Sequence, residues 1–141
     1  MRDIKLLLGG VPRDAEGLAN FERCNPFDDS VATRAAAASV EDARAAASAA
    51  GEAFKGWSQT GPGERRAKLL KAAELMEARQ DDFIERMVDE TGATPGWAGF
   101  NVMVAAGMLR EAAGLTTHVG GEVIPSDVPG SLAVVPALRP L

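Results

Sequence analysis

The sequence predicts an α/β chain, mostly helical, with short peripheral strands and a C-terminal β-hairpin. Three observations carry that prediction. Residues 63–117 hold apolar positions at helical spacing with only short breaks, reading as two helices in close succession and then a third. Helix-start signals stand at Ser39, Pro62 and Thr94-Pro95. Beyond His118 the pattern changes to glycine pairs, prolines and short β-branched runs.

From the beginning, Ile4–Leu8 followed by Gly9-Gly10 reads as a short strand ending in a turn. Phe21–Cys24 is a second extended segment, stopped by Asn25-Pro26, because proline disfavours helix at the residue before it. Val31–Ala37 fits strand or helix on propensity, and β-branched Val31 and Thr33 favour strand. Ser39 is an N-cap with Asp42 three residues on. The helix it opens places Val40, Ala43, Ala47, Ala50, Phe54 and Trp57 on one face. Burial of Phe54 and Trp57 would contribute most there, at ~1.5–3 kcal/mol for a large apolar side chain.

Pro62 at the first helical position, with Glu64 behind it, opens the next helix. Its stripe runs Leu69, Leu70, Ala73, Met76 and resumes at Phe83, Ile84, Met87, Val88 after Gln80-Asp81-Asp82, where either aspartate is a candidate cap. Gly92 closes it as a left-handed C-terminal glycine. Arg65, Arg66, Lys68 and Lys71, balanced by Glu64, Glu74 and Glu77, read as a solvated outer face. The third helix carries Trp97, Phe100, Val104, Met108 and Leu109 as its bulky side. Gly99, Gly107 and Gly114 recur along it, each costing ~1 kcal/mol against alanine, and read as a strip for core packing or close approach. A helix so apolar needs a cover of protein or lipid. Finally, Glu122–Ile124 and Ser131–Val135 flank a Pro/Gly turn as the two arms of a hairpin.

Composition narrows the function. The 141 residues are 46% hydrophobic and 25% charged, with 15 basic and 20 acidic side chains and a formal charge of -5. No basic block exists, which disfavours nucleic acid. No apolar run nears the roughly 18 residues of a membrane span, and no signal-peptide core follows Met1. One cysteine fits a reducing compartment, so a cytoplasmic location is expected. Chemistry is sparse. Cys24 has no neighbouring histidine, His118 has no second ligand at zinc spacing, and the glycine pairs do not make a phosphate loop. No catalytic, cofactor-binding or metal-ligating residue is assigned.

An ordered series of segments nonetheless resembles the amino-terminal part of the NAD(P)-dependent aldehyde dehydrogenase superfamily. It consists of F-E-R before Asn25-Pro26, the Ser39–Trp57 helix ending F-K-G-W, and GPGERRAKLLKAAELMEARQDDFIERMVDETG. W-A-G-F-N at Trp97–Asn101, R-E-A-A-G and GEVIPSD at Gly121–Asp127 complete it. These segments are most similar to the salicylaldehyde, vanillin and benzaldehyde dehydrogenase branch. The resemblance implies oxidation of an aldehyde to an acid through a cysteine thiohemiacetal, with NAD or NADP as acceptor, in a homo-oligomer. The family's nucleophile, base and cofactor motifs match no position here, so no cofactor is expected to bind this chain alone.

The resemblance also implies a division of the chain. Residues 1–118 belong to the cofactor-binding domain, residues 119–135 to a hairpin resembling the start of the oligomerisation arm, and residues 136–141 to an irregular tail. Trp97, Asn101, Met103 and Met108 become candidates for the wall of the substrate tunnel, with core packing as the alternative for each. After S-L-A-V the sequence departs from the family's path to P-W-N and reads V-P-A-L-R-P-L, so truncation is expected. Two non-catalytic alternatives stand beside this: a helical module docking onto intact dehydrogenase subunits, and an independently folded helical regulator.

Overall fold

The structure, a computed structural model, describes residues 2–125 and 127–135. The tail at 136–141 lies outside the described residues. Strands β1 (Arg2–Ile4), β2 (Leu6–Leu8), β3 (Val11–Arg13), β4 (Asn20–Cys24) and β5 (Val31–Ala36) come first. Helices α1 (Val40–Trp57), α2 (Pro62–Ala78), α3 (Gln80–Thr91) and α4 (Pro95–Leu115) follow, then β6 (Glu122–Pro125) and β7 (Leu132–Val135).

The expected single strand over Ile4–Leu8 is divided at Lys5. β1 runs parallel to β5, pairing Arg2 with Thr33 and Ile4 with Ala35. β2 instead turns back through Gly9-Gly10 onto β3, pairing Leu8 with Val11. Both glycines have positive φ, +57° and +81°, the geometry a tight two-residue hairpin requires. Pro12 hides β3 from a propensity reading, yet a two-stranded ribbon consists only of edges, where proline is tolerated. β4 pairs antiparallel with β5, giving the order β1-β5-β4 with an irregularity at Arg23/Cys24. β6 and β7 pair antiparallel as a separate ribbon.

The β4–β5 turn is held by its own polar groups. The Asn25 Oδ1 accepts from the Phe27 N–H at 2.9 Å, and the Asn25 N–H donates to the Ser30 carbonyl at 2.8 Å. This turn packs against the end of α3, where Gly92 sits at φ +68°. A Cβ on Gly92 would lie 2.8 Å from Pro26 Cγ and 3.2 Å from Phe27 Cε2. Gly92 is therefore required twice, by its backbone and by its neighbours.

Ser39 caps α1 in a reciprocal box. Its Oγ accepts from the Asp42 N–H at 3.0 Å, and Asp42 Oδ2 accepts from the Ser39 N–H at 3.0 Å. The same buried carboxylate accepts from the Glu16 N–H at 2.9 Å and from Arg13 Nη2 at 2.8 Å. One side chain thus ties the start of α1 to the end of β3 and to the segment after it. α3 departs from expectation: neither Asp81 nor Asp82 caps it. It starts at Gln80, one residue past α2, and both aspartates lie in its first turn, favourable to the helix dipole. Asp82 instead accepts from Arg79 at 3.3 Å.

The face of α1 expected to be buried is open. Val40 is 62% exposed, Phe54 38% and Trp57 45%. Trp57 carries the Arg65 guanidinium 5.1 Å from its ring centroid, and Arg65 also donates to the Thr60 and Trp57 carbonyls. α3 joins the sheet through charge: Arg2 bonds Asp89 at 3.1 Å and pairs with Glu85, while Glu90 takes Arg23 at 3.0 Å and the buried Thr33 hydroxyl at 2.6 Å.

Two outcomes follow. Gly92→Ala is expected to destabilise the chain by at least the ~1–2 kcal/mol of a left-handed non-glycine residue, read as a lower denaturant midpoint. The hydrogen bonds from the Ser39 and Glu16 N–H groups and from Arg13 hold the Asp42 carboxyl well below the usual carboxylate range. A lowered folded-state pKa adds stability above the unfolded value of about 4 and loses it as pH falls below that. Asp42→Asn is thus expected to lower stability by a constant amount from pH 5 to 8. Chemical denaturation at stepped pH should show that gap closing below about pH 4.

Candidate functional site

The site candidates all lie on α4, so its two faces decide what each can do. Thr94 Oγ1 accepts from the Trp97 N–H at 3.3 Å, and Pro95 takes the first helical position. The buried face consists of Ala98, Val102, Ala106 and Ala113, spaced by four, four and seven residues. Ala98 and Ala106 have no exposure, as does Ala73 on α2. Gly99 faces α3, where a Cβ would meet Ile84 Cδ1 at 3.5 Å. Gly107 and Gly114 have nothing within 4 Å of a Cβ position. The expected glycine packing strip is therefore replaced by an alanine seam, and two of the three glycines face open space.

The rim of the seam is tied by two arginines. Arg110 grips Glu77 of α2 with both terminal nitrogens, one at 2.8 Å. That contact lowers the Glu77 carboxyl and raises the Arg110 guanidinium from their ordinary values. Arg66 Nε donates to the Ala113 carbonyl at 3.1 Å, so one of the cations expected on a solvated face helps cap α4. Lys68 and Lys71 pair outwardly with Glu64 and Glu74.

With small residues inward, the bulky ones face out. Trp97 is 57% exposed, Met103 60% and Met108 67%. At ~100° per residue, Trp97, Asn101 and Met108 fall within about 40° of one another. Met103 lies about 120° round from Trp97, on the flank, so the fold brings three of the four candidates onto one strip. Phe100, outside the candidate set, belongs with them: its ring stacks on Trp97 at 5.4 Å between centroids and 26° between planes. The signal was the i, i+3 aromatic spacing. Asn101 Nδ2 donates to the Trp97 carbonyl at 2.8 Å.

Other chemistry stays scattered. Cys24 is exposed at the end of β4, and His118 follows α4. Among the described residues no three His, Cys, Asp or Glu side chains gather where a metal could bind, and no helix is long and apolar enough to cross a membrane. A dinucleotide phosphate does not fit the β5–α1 step, because Asp42 already takes the Ser39 N–H there and Glu41 adds negative charge.

Against known proteins, residues 13–140 match the model of the aldehyde dehydrogenase family. The chain belongs to that family. It is 55% identical to a vanillin dehydrogenase of Pseudomonas fluorescens over 99% of its own length, and 46% identical to a salicylaldehyde dehydrogenase of Pseudomonas putida over 92%. The chain spans 28% and 27% of those relatives. Its fold superimposes on the salicylaldehyde dehydrogenase of Pseudomonas putida G7, solved with salicylaldehyde, with a TM-score of 0.89 at 46% identity, covering 95% of this chain and 28% of that one. An NAD-dependent benzaldehyde dehydrogenase from Corynebacterium glutamicum gives 0.82 at 33% identity, covering 89% and 28%. The chain thus corresponds to an N-terminal part of the aldehyde dehydrogenase fold.

Substitutions should separate the faces of α4. Ala106→Leu overpacks the seam and is expected to cost ~1–3 kcal/mol. Met108→Gln on the open strip should stay within about 0.5 kcal/mol. Urea midpoints of the two variants check this.

Proposed function

We propose that this chain forms the substrate-entrance side of an aldehyde dehydrogenase that oxidises a phenolic aromatic aldehyde to its carboxylic acid with NAD or NADP. The observation that carries this reading is the 55% and 46% identity, over nearly the whole chain, to dehydrogenases named for vanillin and salicylaldehyde. Trp97, Asn101 and Met108, with Phe100 stacked beside them, line the aldehyde's path, and Met103 flanks it. Helices α1–α4 belong to the cofactor-binding domain, β6–β7 begin the arm that joins subunits, and the nucleotide itself is held by residues other than these.

Surface area supports a covered face. The chain exposes 10160 Å², against about 6,900 Å² for a compact monomer of its mass. The excess far exceeds the roughly 800 Å² that one partner hides in a standard interface. Phe54 and Trp57 of α1 and Trp97, Phe100 and Met108 of α4 are among the exposed apolar side chains that contribute to it.

Reconstitution tests the proposal. The 141-residue chain would be co-expressed with the Pseudomonas fluorescens vanillin dehydrogenase lacking the region it matches. Neither piece alone is expected to form NADH from vanillin and NAD+, and the co-purified pair is expected to do so. A stable pair with no turnover, or turnover by the chain alone, would sink it.

A further inference from the structure

We infer that Asn101 is a specificity residue, its Oδ1 accepting a hydrogen bond from a ring hydroxyl of the aromatic aldehyde. The inference rests on the function proposed above and begins with an asymmetry in one amide. A helix carbonyl can only accept, so the group that bonds the Trp97 carbonyl at 2.8 Å must be the Asn101 NH₂. That contact fixes the side chain and uses one of its two N–H donors. Among the described residues no donor is recorded on Oδ1, which leaves a pre-oriented acceptor beside the aromatic pair.

Its neighbours sharpen the point. Phe100, Val104 and Met108 offer carbon or a weakly accepting thioether, and the Trp97 indole is a donor only. Asn101 is therefore the one strong side-chain acceptor on the strip between Trp97 and Met108. Once the strip is covered, an unmet carbonyl oxygen is costly, and a ligand that brings an O–H relieves the cost. A phenol brings one. A methyl ether or an unsubstituted ring does not. The stacked rings of Trp97 and Phe100 offer an apolar surface against which the substrate ring is held. The strip thus selects for an aromatic ring, and Asn101 for its hydroxyl.

Vanillin and 3,4-dimethoxybenzaldehyde differ at the 4-position by hydroxyl against methoxyl, so they serve as the probe pair. In the reconstituted enzyme, Asn101→Leu is expected to lower kcat/KM for vanillin about tenfold more than that for 3,4-dimethoxybenzaldehyde. Asn101→Ala provides the same test if leucine prevents assembly, since alanine favours the helix. Equal losses on both aldehydes, or an unchanged ratio, would overturn the role of Asn101 while leaving the dehydrogenase reading intact. Oxidation of neither aldehyde by the unsubstituted pair removes that reading, and this inference with it.

Discussion

Close approach of α2 and α4 governs what the rest of the chain can present. Ala73 of α2 and Ala98, Ala106 and Ala113 of α4 have at most 1% exposure. Side chains that small let two helix backbones come near, but each buries little area. The seam is therefore reinforced at its edge, by the Arg110–Glu77 fork and by Arg66 on the Ala113 carbonyl. Because the alanines are inward, helical geometry sends Trp97, Phe100 and Met108 outward. The apolar strip is a consequence of the seam and not a failure of burial.

Much of the architecture was legible wherever a local hydrogen bond or a fixed dihedral decides the outcome. The Ser39–Asp42 box, Pro62 and Pro95 at first helical positions, and Gly92 at the end of α3 depend on residues within a few positions of one another. The strands at Phe21–Cys24 and Val31–Ala36 followed from Asn25-Pro26 and from β-branching. Where the outcome depended on a distant partner, local reasoning fell short. Nothing near Lys5 says that β1 will join β5 while β2 folds back on β3. Nothing near Gly107 says that alanines will take the packing side.

The candidate site divides in the same way. Three of its four residues share a strip because helical spacing places them there, and spacing also sets Met103 apart. Phe100 was visible as a bulky position, but its stacking on Trp97 depends on side-chain geometry that spacing does not specify. The proposed meaning of the strip comes from elsewhere: nothing in helical spacing points to an aldehyde, and the proposal rests on the family likeness.

The contact between Gly92 and the Asn25–Ser30 turn bears on how the strip of α4 is positioned. α4 begins three residues past Gly92, and Pro26 and Phe27 press on that glycine from the sheet side. The turn therefore buttresses the link between α3 and α4. A sequence change at Pro26 or Phe27 acts on Gly92, three residues before the helix that carries Trp97, Asn101 and Met108. Under the function proposed above, the turn is thus a second place, away from the strip itself, at which a substitution would alter selectivity.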